Sequence, residues 1–470
     1  MKYHHFYWAI GIGFLLCGCM PKIPELPKDS EITIKLDGKA NEEINKNWWK
    51  NFNDENLLFL IQKARNYNSD IQISKTRIQA AMGALKIAKS TLFPSFTLNM
   101  SPQYTQNMLT PIFGFTTPIG MIDPTLNIAY NFDIFGKNTN ERKSKLYQTQ
   151  AIIAQSYGAK LSIDATVAKT YINLVALNDH LALLKDILKV RKIELEIAQS
   201  KTNVGYISEY DKLQASIQYE AAKAKISPTQ LAITKAQNAM EELTGIQASH
   251  LRITQSLKML KEPSLPKKIP SSILRNRPDI AYAEFELAAS SATLAKARKN
   301  FLPDFNLVAN IGGALFSNFL GISGGLATGA IGVSILTPLF EGNKLKGEFA
   351  IANAKRDEAA YTYKKIVLNA YKEIKNTQAG IEWLKHQQIS LNAEYQAAIQ
   401  TLDYAKNRYT DGYSSYLEVI GAKHSLLGLE EQIINLKTSY LESLINLYQA
   451  LGSGFKTEEV KIPSKNNKKK

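Results

Sequence analysis

Residues 68–98 read NSDIQISKTRIQAAMGALKIAKSTLFPSFTL, and residues 277–307, 209 positions later, read RPDIAYAEFELAASSATLAKARKNFLPDFNL. The two stretches align without a gap. They share Asp-Ile near the start, Ala80/Ala289, Leu85/Leu294, Ala88/Ala297, Pro94/Pro303, Phe96/Phe305 and Leu98/Leu307. Each reads as a helix that stops before a proline, which cannot continue a helix, and then as a strand. The repeat predicts a chain built from two similar halves.

The strand patterns alternate strictly between apolar and polar residues. In Thr125–Ile134, TLNIAYNFDI, every second residue is apolar and the residues between are mostly polar. This period of two suits a strand with lipid on one face and water on the other. Phe96–Met100, Phe305–Ile311 and Ile331–Ile335 alternate likewise. The alternative is a soluble sandwich with one dry face, but four strands among so much helix make a poor sandwich.

Each pair of strands is followed by an unusually long helical pattern, about 140–202 in the first half and 344–408 in the second. About 63 residues of helix span roughly 95 Å, and these stretches carry too many charged residues to lie in lipid. Part of the second pattern repeats every 3.5 residues, which indicates a left-handed supercoil against neighbouring helices. Its seam residues are Tyr363, Val367, Ala370, Ile374, Thr377, Ile381, Leu384, Gln388, Leu391, Tyr395, Ala398 and Leu402.

Both long helices end at matched turns. Gly205 and Gly412 can take the left-handed conformation that ends a helix, and Ser208 and Ser415 can cap the next one. Returning helices are predicted over about 209–243 and 416–451. Each half is therefore expected to run helix, two strands, long helix, turn and returning helix, which makes a mainly α-helical, internally duplicated fold.

The first residues read as an export signal. Phe6–Leu16 is an apolar run of about 11 residues, the length of a signal-peptide core and too short to span a bilayer. Leu16-Cys17-Gly18-Cys19 resembles the bacterial lipobox, which predicts diacylglycerol and an N-palmitoyl group on Cys19. The alternative is an ordinary secretory signal. No other cysteine follows Cys19, so the mature chain has no disulfide or cysteine-based site of its own.

These features divide the chain into a lipoprotein signal (1–18), an anchored tether (19–53), a first repeat (54–257), a linker (258–270), a second repeat (271–455) and a basic tail (456–470). The first repeat places its strands at about 94–134 and its tip at 203–213. The second repeat places its strands at about 303–340 and its tip at 409–422. The net charge of +15 is dispersed along helices or lies in the tail, without aromatic interleaving, so no nucleic-acid partner is expected. No enzyme or metal motif is present.

Four lipid-facing strands cannot stand alone in a membrane. The two sheet edges would expose unpaired N–H and C=O groups to hydrocarbon, at several kcal/mol per group. Two chains would give eight strands, whose interior is filled by side chains, whereas three give twelve and leave a lumen. The sequence therefore predicts a homotrimer.

The order of these motifs resembles the TolC/OprM-type outer-membrane efflux family, lipoprotein branch, over nearly the whole chain after Cys19. The resemblance rests on the lipobox, Trp48-Trp49-x-x-Phe52, Arg277-Pro278-Asp279-Ile280, the Phe-x-Gly junctions and the two glycine turns. It implies a trimer with a twelve-stranded outer-membrane β-barrel continuous with a periplasmic α-helical barrel. Its partners would be outer-membrane lipid, a periplasmic adaptor and an inner-membrane resistance-nodulation-division pump of a Gram-negative bacterium. No cofactor or enzymatic activity is implied.

The resemblance also implies roles for residues at the tips. Glu418 matches a carboxylate that forms a three-fold ring at the constriction, and Asp211 with Tyr409 match part of a polar lock. The arginine of that lock falls on Ser414, with Arg408, Lys201 or Lys212 as possible replacements, and a second ring carboxylate falls on Gly421. Asp211 and Glu418 could instead be ordinary first-turn acids. The expected adaptor contacts are Val204, Gly205, Tyr206, Gly412 and Tyr413.

The predicted function is an outer-membrane exit duct that passively conducts drugs or other small molecules from a tripartite pump. The alternatives are a duct for type I protein secretion or metal-ion export, and, in a different class, a non-conducting periplasmic coiled-coil scaffold. The lipid-facing alternation of Leu126–Ile134 disfavours the scaffold, which has no use for it.

Overall fold

A computed structural model describes residues 20–32, 47–108, 116–251, 255–263, 271–318 and 323–462. The first half contains α1 (Glu55–Tyr67), α2 (Ser69–Ser90), β1 (Ser95–Met108), β2 (Thr116–Phe132), α3 (Lys137–Asn203), α4 (Glu209–Ala224) and α5 (Ile226–Thr244). The second contains α6 (Pro278–Lys299), β3 (Asp304–Asn318), β4 (Ser323–Leu336), α7 (Lys344–Thr410) and α8 (Tyr416–Ala450). Cys19, the signal, most of the linker and the end of the tail lie outside the described residues.

The sequence repeat is a structural repeat. Helices α2 and α6 each have 22 residues and begin 209 positions apart, at Ser69 and Pro278. Helices α3 and α7 each have 67 residues. The predicted 3.5-residue seam is the buried face of α7, where it packs on α8 through clusters that include Leu391 and Leu402. The paired helices of the two halves therefore have the same lengths.

Two predicted helices are each broken in two. The apolar pattern of the sequence predicts one helix from Asp54 to about Thr91, but this helix is interrupted at Asn68, whose side chain accepts hydrogen bonds from the amides of Asp70 and Ile71 and so caps α2. The returning helix of the first half is interrupted at Lys225. Pro228 lies in the first turn of α5, where no N–H is needed, but it could not continue α4 without clashing with the carbonyl of Ala224. The prediction of one uninterrupted helix was wrong at both places.

The four strands form one antiparallel sheet in the order β1-β2-β3-β4, so β1 and β4 are its edges. Thr97 lies opposite Asn127, Asn127 opposite Asn310, and Asn310 opposite Ala330, which puts the polar residues on one face. The apolar residues of the edge strands are 60–78% exposed; these are Phe96, Leu98, Met100, Ile331, Val333 and Ile335. No second sheet covers this face within the described ranges, which argues against the sandwich alternative.

The main hydrophobic core lies part-way along the long helices. Trp48, Trp49 and Phe52 are buried in it together with the inner faces of α1, α3 and α8. Trp48 stacks on Tyr448 with ring centroids 5.3 Å apart. The Tyr171 hydroxyl donates to Asp54, and Arg65 pairs with buried Asp164 at 2.6 Å. Burial raises the pKa of Asp164 more than Arg65 lowers it. This core joins the two halves into one body.

The predicted tether is docked where the structure describes it. Buried Arg356 of α7 donates to the carbonyls of Pro24 (2.7 Å) and Glu25 (3.0 Å), and Ile23 packs on the cluster of Leu294 and Ala297. Tyr361 and Lys364 of α7 also donate to Asp29, so this part of the tether follows α7 away from the strands. Across the described parts of the chain, no helix is both long and apolar enough to cross a bilayer.

Candidate functional site at the tips of the long helices

The two tip turns have the same backbone geometry. Tyr206 N–H donates to the Lys201 carbonyl and Gly205 N–H to the Thr202 carbonyl. In the second half, Tyr413 and Gly412 make the equivalent bonds to Arg408 and Tyr409. This pair of bonds is the Schellman motif, which needs a left-handed residue after the helix. Gly205 (φ +73°) and Gly412 (φ +79°) supply it, as the sequence predicts.

The side chains next to these glycines project into solvent. Val204, Tyr206 and Tyr413 are 74%, 83% and 78% exposed. A single exposed apolar side chain is common, but several of them grouped at one end of a molecule are typical of a contact surface. The turns therefore present two small aromatic surfaces at the far end of the molecule from the sheet.

Asp211 begins α4 as part of a capping box. Its carboxylate accepts from the backbone N–H of Ser208 at 3.1 Å and from the Ser208 hydroxyl at 2.8 Å, while Ser208 accepts from the Asp211 N–H. In the same first turn of α4, Lys212 forms an ion pair with Glu209. The carboxylate of Asp211 thus has a local structural use whatever else it does.

Glu418 pairs with Arg408. The Glu418 carboxylate, in the first turn of α8, lies 3.2 Å from an Nη of Arg408, in the last turn of α7. Beside this pair the rings of Tyr409 and Tyr416 contact each other, with centroids 5.1 Å apart. At the second tip, one ion pair and one aromatic pair therefore join the end of α7 to the start of α8.

The polar lock implied by the resemblance is not assembled within the described part of a single chain, where no hydrogen bond joins Asp211 to Tyr409. Ser414, which stands at the position of the missing arginine, has a buried hydroxyl with no partner among the described residues. Of the three basic residues considered as replacements, Lys212 is engaged with Glu209 and Arg408 with Glu418. The pairing of Arg408 with Glu418 was not foreseen, because the nine residues between them include a turn that spacing rules do not span.

The described residues contain no group of three or more His, Cys, Asp or Glu that could hold a metal ion.

Comparison with known proteins decides the family. The sequence model of the outer membrane efflux protein family matches the chain twice, at residues 60–246 and 269–453. The chain belongs to this family. The two matches correspond to the two halves seen in the sequence and in the fold.

Among curated relatives, the chain is 25% identical to "Cation efflux system protein CusC" of Escherichia coli O6:H1 over 460 residues, covering 95% of this chain and 98% of that protein. It is 28% identical to "Probable efflux pump outer membrane protein TtgC" of Pseudomonas putida over 426 residues, covering 87% and 85%. Both relatives are named as efflux proteins, and together with the family match they make the chain an outer-membrane efflux protein.

Solved structures agree with this fold. The Campylobacter jejuni CmeC outer membrane channel superposes with a TM-score of 0.79 at 25% identity, covering 94% of this chain and 96% of that one. The open state of the Neisseria gonorrhoeae MtrE outer membrane channel gives 0.79 at 25% identity, covering 93% and 98%. The fold prediction, mainly helical with a strand portion in two repeats, is confirmed.

Proposed function

We propose that three copies of the chain form a passive exit duct of a tripartite efflux system, open at the cell exterior and continuous with a helical tube in the periplasm. The observation that carries this proposal is the sheet: it has two unpaired edges, β1 and β4, and an exposed apolar face. In hydrocarbon such edges must pair with something, and a further copy of the same sheet offers matching edges.

The helices support the same arrangement. Helices α2, α3, α6 and α7 lead into or out of β1, β2, β3 and β4 respectively, and they contact one another in that order. Three copies would therefore place twelve strands above twelve helical segments. A closed sheet of twelve strands leaves room for a lumen, which one of eight does not.

The anchor and the tip complete the proposal. Lipidated Cys19 would hold the chain at the membrane, and the docking of the next residues on Arg356 keeps that end close to the strands. At the opposite end, Glu418 would line the constriction, with Asp211 and Tyr409 beside it. The bare side chains of Val204, Tyr206 and Tyr413, presented by Gly205 and Gly412, would meet a periplasmic adaptor.

The substrates would be drugs and other small molecules delivered by a resistance-nodulation-division pump. The relative "Antibiotic efflux pump outer membrane protein ArpC" of Pseudomonas putida, 28% identical over 426 residues, supports this class. A second candidate is metal-cation export, which the name of CusC favours at similar identity and fuller coverage. Deleting the gene and measuring the susceptibility of cells to antibiotics, dyes, Cu²⁺ and Ag⁺ separates the two, because only the transported class should become more toxic.

The duct itself is tested on purified protein. A trimeric barrel should migrate on gels as a high-mass species that heating converts to the monomer, and it should conduct ions in a planar lipid bilayer. A water-soluble monomer without conductance would refute the proposal.

The adaptor surface is tested by cross-linking in cells. Cysteine introduced at Tyr206 or Tyr413 and coupled to a bifunctional reagent should trap the adaptor. The matched control is cysteine at Gln387, which is exposed in the middle of α7. Capture from Gln387 alone would move the adaptor contact away from the tip.

A further inference from the structure

We infer that Arg408 neutralises the carboxylate of Glu418, so that the tip constriction carries no net negative charge and admits anionic solutes as readily as cationic ones. This rests on the proposed function, since it concerns the same constriction. It makes Arg408 a selectivity-determining residue of the duct.

The ion pair is held by the fold of the turn. Arg408 and Glu418 lie on opposite sides of the Gly412 turn, one at the end of α7 and one at the start of α8, with a separation of 3.2 Å. The Arg408 carbonyl accepts the Tyr413 N–H, and the Glu418 N–H donates to Ser415, so both backbones are fixed. Each charge also suits its helix end: a cation near a C-terminus and an anion near an N-terminus are favoured.

The helix turns next to both tips supply compensating charge. Residues 201–213 carry Lys201 and Lys212 against Glu209 and Asp211, which gives no net charge. Residues 403–423 also sum to zero; they contain Lys406, Arg408 and Lys423 together with Asp403, Asp411 and Glu418. The basic residues of the adjoining helix turns therefore balance the acidic residues of the tips at 203–213 and 409–422.

This balance changes what a three-fold ring can do. Three bare carboxylates drawn together would attract cations and disfavour anions. A guanidinium 3.2 Å from each carboxylate carries the opposite charge and cancels the charge that a passing ion experiences at longer range. The pair is solvent-exposed, with the side chains of Arg408 and Glu418 57% and 41% accessible. Such a pair adds little to the stability of the fold, so its main effect is on the electrostatic potential at the tip.

The experiment measures the reversal potential in a KCl gradient, and the block by hexaamminecobalt(III) from the periplasmic side, for the full-length trimer in planar bilayers. The wild-type channel should be weakly blocked. Arg408→Gln should shift selectivity toward K⁺ and strengthen the block by about tenfold or more, since three compensating charges are lost. Arg408→Gln with Glu418→Gln should return both readouts to the wild-type values.

The control is Lys406→Gln, which removes the same charge from an exposed residue two positions away on α7. A charge-exchanged variant, Arg408→Glu with Glu418→Arg, keeps the net charge and should behave as the wild type, which separates charge from misfolding. Strong cobalt block of the wild type, or equal effects of Arg408→Gln and Lys406→Gln, would overturn the inference while the duct stands. A wild-type protein without conductance would instead overturn the proposed function, and the inference with it.

Discussion

Arg277 shows how one buried side chain joins distant parts of this chain. Its guanidinium donates to the carbonyl of Ala450 at the end of α8, to Asp279 in the first turn of α6, and to Glu373 of α7. Burial lowers the pKa of Arg277, but the two carboxylates together raise this pKa by more than burial lowers it. The net shift is upward, and the side chain keeps its charge. The residue therefore links three helices at the boundary between the halves.

Replacing Arg277 with Ala should lower the free energy of unfolding by about 1–3 kcal/mol, because the Ala450 carbonyl loses its charged donor. Arg277→Lys should recover only part of this loss, since an ammonium cannot reproduce the forked geometry. Thermal unfolding of the purified protein measures both changes. Lys192→Ala, which breaks an exposed pair with Glu196, is the control and should change stability by less than about 0.5 kcal/mol.

Glu286 of α6 should make stability depend on pH. Burial raises its pKa above the ordinary value of 4.5, so the folded protein binds this proton more tightly than the unfolded chain. Its contribution is therefore most favourable at low pH and is lost as pH rises from about 4.5 through the raised pKa. Glu286→Gln should raise the melting temperature more at about pH 8 than at about pH 4. Glu284→Gln, exposed on the same helix, is the control, and an equal gain at both pH values would contradict the assignment.

Among the elements, the two tip turns are the clearest case of a conformation that the residue type decides. At Gly205 and Gly412 an added Cβ would meet no other atom, so the only obstacle to a side chain is the positive φ. A substitution there tests backbone strain separately from packing.

Gly412→Ala should cost roughly 1 kcal/mol locally, because a left-handed alanine is strained. Hydrogen exchange of the amides in residues 409–418 should therefore quicken. Gly380→Ala is the matched control, since Gly380 lies inside α7 with open space around it and alanine favours the helix. Equal protection of the tip in both variants would show that Gly412 is not needed for the turn.

In the assembled protein, we expect the unpaired strand β1 of one copy to pair with β4 of a neighbouring copy. A cysteine at Asn99 of β1, combined in turn with cysteines at polar-face positions of β4, should form disulfides between copies and give covalent trimers on non-reducing gels; those positions are Thr328, Ala330, Gly332 and Ser334. A pair of cysteines forms a disulfide when directly opposite on neighbouring strands.

Asn127 and Asn310 provide the internal control, because they lie opposite each other on β2 and β3 of the same chain. Cysteines there should bond without any increase in mass. If every β1–β4 combination also stayed monomeric, the edges would not meet in the assembly. No cysteine follows Cys19 in the native chain, so no other thiol would interfere.

The sequence by itself determined the two halves, the strand faces and the glycine turns. These are local properties: a period of two or 3.5, and a residue able to take positive φ, can be read from neighbours along the chain. The cap at Asn68 and the proline that follows the break at Lys225 are local signals too, but the apolar pattern continues across both positions and obscures them.

Only the tertiary structure decided which charged groups meet. Arg356 reaches the Pro24 carbonyl 332 positions away, Arg277 reaches Ala450 173 positions away, and Arg408 meets Glu418 across a turn. Charged side chains are long and abundant on every helix face, so each has many possible partners and the spacing along the chain does not indicate which one it pairs with. The packing of the helices brings one of these possible partners within hydrogen-bond distance. At the tip this pairing places Arg408 beside Glu418.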